Sequence, residues 1–300
     1  MLNIVKYYKF WFWVSAILLV AGIVSLVVFR LKPGIDFTGG ALTQIQFSQD
    51  VPQSSDIQKV LADTGFPEAQ IQSVNNTEVL IRTAPQDQEQ HVKFMTALSD
   101  KFGTVTESQF TSIGPVIGKE LRSQAFVQLI LVSLGIIFYI AYAFRKVSRP
   151  VSSWRFGIAA VIALIHDLFI VLGAFSILGH FKGVEVDSLF VTAMLTVLGF
   201  SVHDTIVVFD RIRENLRVRA GQSLPEIVNN SINQTLVRSI NTSLTVVFVL
   251  LSLFLFGGES IHYFVLALLI GIIAGTYSSI FIASPILIVW HNWEMRRSAR

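Results

Sequence analysis

Residues 189–209, LFVTAMLTVLGFSVHDTIVVF, decide what kind of molecule this is. A helix crosses a bilayer with about 20 mainly apolar residues, and this run has that length with one carboxylate, Asp204, inside it. A charge near the centre of such a helix costs roughly 2.5–3.5 kcal/mol on insertion scales. A span that keeps one there uses it or pairs it, and the usual uses are ion pathways, proton relays and voltage sensing. His203 stands beside Asp204, and a second ionisable dipeptide, His166-Asp167, interrupts another apolar run.

Working outward, the 300 residues are 52% hydrophobic and only 14% charged, with a mean hydropathy of +0.61. Soluble domains carry about 25% charged residues, so this composition indicates an integral membrane protein. Apolar runs at 10–29, 126–144, 154–178, 189–209, 239–256 and 261–290 predict six transmembrane helices. The chain has no cysteine, which excludes disulfides, thiolate metal sites and thiol chemistry. The first run follows Lys6 and Lys9 as a signal peptide would, yet it has full spanning length and no small-residue cleavage pattern, so it reads as an uncleaved anchor.

Basic residues in short connections set the orientation. Arg145, Lys146, Arg149 and Arg155 lie in one connection, Arg211, Arg213, Arg217, Arg219 and Arg238 in or beside another, and Arg296, Arg297 and Arg300 in the tail. The opposite connections offer Lys182 alone. Both termini are then cytoplasmic, and Trp11, Trp13, Trp154, Trp290 and Trp293 suit interfacial belts. The predicted organisation is a cytoplasmic N-terminus with the first span (1–30), an exported domain (31–125), a five-helix bundle (126–290) and a basic cytoplasmic tail (291–300).

The exported segment alternates as a strand over 41–48, and Ser54-Ser55-Asp56 reads as the cap of an amphipathic helix ending near Gly65. Strand patterns follow at 69–74 and 78–83 around the turn Asn75-Asn76. A helix over 86–101 places Val92, Met95 and Leu98 on one face, with His91 as an ordinary surface residue, and a last strand fits 104–113. The order β-α-β-β-α-β predicts a ferredoxin-like α+β domain, a fold that hosts many functions. No paired carboxylates, metal-spaced histidines or nucleophile triad appear in it. Two glycine-rich pieces bracket it. Gly34-Ile35-Asp36-Phe37-Thr38-Gly39-Gly40 predicts a tight turn at the membrane face. The segment 114–120, GPVIGKE, has P-loop-like spacing one residue short, with Glu120 where Mg²⁺ binding needs a hydroxyl, which argues against ATP.

Within the membrane, Ala267, Gly271, Gly275 and Ser279 recur every four residues, a helix-packing pattern. In the fifth span Gln234, Arg238, Asn241 or Thr242, and Thr245 form one polar stripe. Arg238 enters the membrane from the same side as Asp204 and at comparable depth, so the two can meet. Either they form a static ion pair, or Asp204 titrates as Arg238 approaches and withdraws; snorkelling of Arg238 to headgroups is the third option. His166 and Asp167 fall near Ser201 or His203 on the antiparallel fourth span, where a structural hydrogen bond is the expected role, with Thr205 in the same polar core. Two His-Asp pairs in apolar surroundings without further acids do not make a metal site.

Four separated motifs carry a resemblance. Residues 34–40 (GIDFTGG), 112–121 (SIGPVIGKEL), 199–215 (GFSVHDTIVVFDRIREN) and 238–243 (RSINTS), with His166-Asp167, resemble the SecF family of bacterial protein-export subunits. Thr38, and Thr-Ile after Asp204, separate the chain from the related SecD pattern, which has Arg and Ala-Asn there. His203 departs from that family's usual Asn. The resemblance implies a non-enzymatic subunit of the resistance-nodulation-division superfamily in the bacterial plasma membrane. It would pair with a SecD-type subunit beside the SecYEG channel and use the proton-motive force to promote preprotein translocation. No cofactor, nucleotide or nucleic acid is implied. Carried over by position, Asp204 and Arg238 are the proton-path residues, with His203 beside them. The competing readings are an exporter, or half-exporter, of lipids or small molecules of the same superfamily, and a scaffold whose charges only lock helices together.

Overall fold

The computed structural model describes residues 2–143, 153–219 and 221–298. Arg145, Lys146, Arg149 and Arg300, which entered the orientation argument, lie outside the described residues. The chain forms two units, one of residues 33–126 and one of residues 1–32 with 127–300.

The smaller unit begins with a single helical turn, α2 (Ile35–Thr38), after the first span. It continues through β1 (Gly40–Phe47), α3 (Ser54–Asp63), β2 (Gln70–Ser73), β3 (Glu78–Thr83), α4 (Gln88–Phe102) and β4 (Val105–Ile113). The sheet order is β2-β3-β1-β4 with every neighbouring pair antiparallel, the split βαβ arrangement of a ferredoxin-like fold. Alternation in β1 sends Ala41, Thr43, Ile45 and Phe47 inward, and Ile45 and Phe47 share one core with Ile57, Leu61, Phe94 and Leu98 from the two helices.

Four local expectations differ from the structure. The residue at the start of α3 is Gln53, and no side chain caps it, so Ser54, Ser55 and Asp56 lie inside the first turn. In α4, Asp87 is the cap and forms a reciprocal pair with Gln90, which starts the helix at Gln88. Its inward face is His91, Phe94 and Leu98, while Val92 is 54% exposed, because burying the large Phe94 ring fixes the rotation of the helix. His91 is therefore not a surface residue: its ring meets Gln86 at 3.2 Å and Glu107 at 2.7 Å and stacks on Phe110.

The two glycine-rich pieces are one packed device. Gly39 has φ 76° and ψ 162°, a conformation essentially restricted to glycine. A methyl group on Gly39 would lie 3.0 Å from the Pro115 Cα, and one on Gly118 would lie 2.9 Å from the Gly39 backbone nitrogen. The P-loop-like segment is thus the first turn of helix α5 (Pro115–Ala143), set against the glycine pair. Gly39→Ala is expected to destabilise this unit by about 1–3 kcal/mol, read as faster amide exchange along β1 and β4. Unchanged exchange would show that the backbone tolerates a side chain there.

Among the described residues, six helices are long and apolar enough to cross a membrane. After a short 3₁₀ turn come α1 (Tyr8–Val28), α5, α6 (Ser153–Lys182), α7 (Ser188–Val218), α8 (Leu224–Phe256) and α9 (Glu259–Ser278). The last continues through a π turn (Ser279–Ala283) into α10 (Ser284–Ser298). Large side chains such as Trp13, Ile17 and Val27 face outward from α1, whereas its buried residues are Ser15, Gly22 and Ser25. Lipid-facing bulk and small interior residues are what close packing of helices in a membrane requires. Gly22 lies so close to Gly173 of α6 that a methyl on Gly173 would overlap it, and Ser25 bonds Ser176 at 3.0 Å one turn further on. The predicted packing stripe holds the α9–α7 contact: Gly271 lies against Val197, and Gly275 against the Ser201 backbone and Cβ. Ala267 and Ser279 are fully buried.

Candidate functional site

Three helices deliver hydroxyls to the two buried aspartates, and each aspartate has its own cluster. On α6, Asp167 is 1% exposed and accepts bonds from His166 Nδ1 at 2.9 Å, Ser201 Oγ of α7 at 2.5 Å and Ser278 Oγ of α9 at 2.8 Å. The two serines tie α7 and α9 to Asp167, so the carboxylate bolts three helices together, while the buried Nε2 of His166 has no partner among the described residues. Thr205, also buried, bonds back to the Ser201 carbonyl at 3.1 Å, as hydroxyls in spans commonly do.

One turn toward the C-terminus of α7 lies Asp204, 3% exposed, in a sparser setting. Ser243 Oγ of α8 donates to its Oδ2 at 3.3 Å, and Ser243 in turn lies 2.6 Å from Thr276 Oγ1 of α9. Thr276 bonds the Ile272 carbonyl of its own helix at 2.9 Å. Asp204 thus sits buried against hydroxyls, with no ion pair among the described residues.

Arg238 does not supply that pair. It is exposed on this chain and makes no ion pair among the described residues, and its charge reaches Asp204 only through space. Asn241, Thr242, Gln234 and Thr245 are exposed too. From Arg238 to Thr245 the predicted polar stripe of α8 therefore turns out of the bundle, whereas Gln234 is held by α7; the Thr242 hydroxyl bonds the Arg238 carbonyl. Inside, α8 instead buries Ser231, Thr235, Ser239 and Ser243, four hydroxyl residues spaced i, i+4. Small hydroxyls let helices approach closely; Ser231 and Thr235 bond carbonyls of their own helix, Ser243 turns to Asp204 and Thr276, and Ser239 Oγ has no partner among the described residues. Sequence reasoning missed Ser243, Thr276 and Ser278; the regular spacing of the inner α8 stripe was the signal available for the first of them. His203 is exposed and makes no hydrogen bond among the described residues.

At the end of α7 the Asp210–Asn215 stretch anchors α8. Asn215 Nδ2 donates to Ser231 Oγ at 2.8 Å and to Gln234 Oε1 at 2.9 Å, and Arg211 Nε reaches the same Gln234 oxygen at 2.6 Å. Just beyond, Asn229 and Asn233 hold the backbone of Leu2 and Val5, pinning the chain's first residues to α8.

Comparison with known proteins bears on this arrangement. Residues 93–293 match the model of the protein export membrane protein SecD/SecF C-terminal family, and residues 24–51 match the SecD/SecF GG motif. The protein translocase subunit SecF of Thermobaculum terrenum is 48% identical across 100% of this chain and 97% of its own length. The chain belongs to the SecF family. A second SecF, from Anaerolinea thermophila, is 40% identical over 99% of this chain and 96% of its own. The crystal structure of SecDF from Thermus thermophilus, described as a translocon-associated membrane protein, superposes with a TM-score of 0.84 at 34% identity. It covers 97% of this chain, which spans 39% of that longer one. Both aspartate clusters lie within the SecD/SecF C-terminal match, and the Gly34–Gly40 turn within the GG match.

Proposed function

We propose that this chain is the SecF-type half of a Sec accessory complex. Paired with a SecD-type subunit beside the SecYEG channel of the bacterial plasma membrane, it binds and releases protons at Asp204. The proton-motive force acting there promotes preprotein translocation, and no bond in the preprotein is made or broken. Both termini lie in the cytoplasm and residues 31–125 on the exported side, where the ferredoxin-like unit meets the preprotein.

The observation that carries this reading is a carboxylate buried in a membrane-spanning helix against hydroxyls, with no ion pair among the described residues. Without a counter-ion in contact, its protonation is governed by what the surrounding helices bring to it. Arg238 precedes Ser243 by five residues on α8, about 7.5 Å along a helix axis. A movement of α8 on that scale changes the charge near Asp204, which makes Arg238 the gating group and His203 its neighbour on α7. One proton crossing 100 mV releases about 2.3 kcal/mol, comparable to the few kcal/mol that separate two conformers of a protein.

The exposed stripe of Gln234, Arg238, Asn241, Thr242 and Thr245 supports a paired subunit, since a polar face within a span does not stay against lipid. In the Bacillus subtilis relative named SecDF, the part matching this chain is 38% of a longer polypeptide. The test is reconstitution of this chain with its SecD-type partner and the channel in proteoliposomes. An imposed proton gradient is expected to speed preprotein passage, with proton flux, only when both subunits are present. Failure to co-purify with the partner, together with gradient-insensitive transport, would overturn the proposal.

A further inference from the structure

Four oxygens run in a line from Asp204 into α9: Asp204 Oδ2, Ser243 Oγ, Thr276 Oγ1 and the Ile272 carbonyl. Their three separations are 3.3, 2.6 and 2.9 Å, each within hydrogen-bonding reach. The protons available to fill those three gaps depend on the state of Asp204. Each hydroxyl carries one proton, and a carbonyl carries none. With Asp204 ionised there are two protons for three gaps. Ser243 must donate to the carboxylate, and the single Thr276 proton then serves either Ser243 or the Ile272 carbonyl, so one of those two gaps loses its bond. With Asp204 protonated there are three protons for three gaps, and all three bonds form together: Asp204 donates to Ser243, Ser243 to Thr276, and Thr276 to Ile272.

We infer that Ser243 and Thr276 are positioning residues that transmit the protonation state of Asp204 to helix α9. This rests on the reading of Asp204 as the proton-binding group and adds the route by which a third helix senses it. Thr276 is well placed to pass the change on. It stands two residues before Ser278, which holds Asp167, and three before the π turn Ser279–Ala283. Such π turns are points where a helix departs from its regular ladder, so a side-chain bond gained or lost one turn earlier bears on a segment already irregular. Ser243 and Thr276 also line a cavity of about 340 Å³ between α8 and α9, walled by Ile240, Leu244, Ile273 and Tyr277. The hydroxyl pair is thus not locked by dense packing on every side. The ionisable groups that reach Asp204 are His203 from α7 and Arg238 from α8, while α9 contributes the Thr276 hydroxyl.

The experiment uses the full chain with its SecD-type partner in vesicles, comparing Ser243→Ala, Thr276→Val and Thr276→Ser. Thr276→Val keeps the volume and removes the donor, and Thr276→Ser keeps the donor. Gradient-driven stimulation of preprotein passage is expected to fall about tenfold in Ser243→Ala and Thr276→Val, the scale of one lost hydrogen bond in a chain ending on a charged group, and to persist in Thr276→Ser. The second readout is the infrared band of the protonated Asp204 carboxyl, assigned by its disappearance in Asp204→Asn. It is expected to shift in Thr276→Val and to hold its position in Thr276→Ser. An unshifted band with unchanged stimulation in Thr276→Val overturns the inference while leaving Asp204 as proton carrier. Undiminished stimulation in Asp204→Asn overturns the reading beneath it.

Discussion

Asp204→Asn is expected to remove the whole gradient-driven part of preprotein export while the chain still inserts, folds and pairs with its SecD-type partner. Asparagine has the shape of aspartate and an oxygen that accepts the Ser243 hydroxyl, so the contact seen at 3.3 Å has a replacement. What disappears is the ability to carry a charge and lose it. Asparagine is still polar but carries no charge to be desolvated, so the variant should melt in detergent no earlier than the parent. A scaffold role predicts the reverse: destabilisation by Asp204→Asn, relieved by adding Arg238→Gln. The structure shows no Asp204–Arg238 ion pair for such a lock. The decisive measurement is transport with and without an imposed gradient; normal stimulation in Asp204→Asn would end the proton-carrier reading.

Gly173→Ala is expected to detach α1 from the bundle. The added methyl would fall on the Cα of Gly22, a backbone atom that no side-chain rotation can move. Relief requires the helices to separate, which breaks the 3.0 Å Ser25–Ser176 bond and opens the close packing around it. Overpacking a tight core typically costs 1–3 kcal/mol, and a clash between two backbones belongs at or above the top of that range. Because the chain lacks cysteine, a Ser25→Cys, Ser176→Cys pair reports the contact directly. The disulfide should form readily with Gly173 in place and poorly with alanine there. Equal cross-linking would show that α1 does not depend on this approach.

Much of the membrane architecture was legible in hydropathy, but hydropathy measures bilayer thickness and not helix length. The apolar run beginning at 126 belongs to a helix that starts at Pro115, and the run beginning at 239 to one that starts at Leu224. In both, polar residues extend the same helix beyond the hydrocarbon, and propensity and capping carry it on. Ser223 and Glu226, a capping box visible in the sequence, mark the true start of α8. The ferredoxin-like unit was legible through alternation and turn residues, and its errors came from faces. On α4 an apolar triplet one position away from Phe94 looked equally amphipathic until packing chose the bulkier ring.

The candidate site divides in the same way. Its charges announced themselves because each is expensive in a span. The hydroxyls that bind them did not, since serine and threonine are common in spans and satisfy themselves on their own helix. Asp167 and Asp204 were visible in the sequence as carboxylates misplaced in apolar runs, and the four separated motifs pointed to the SecF family. Which hydroxyl faces which carboxylate, that Arg238 and the α8 stripe turn outward, and that Gly39 meets Gly118 follow from how helices cross and rotate. Those are pairwise distances between segments far apart in the chain, set by the shapes of both partners at once, and no single stretch of residues contains them.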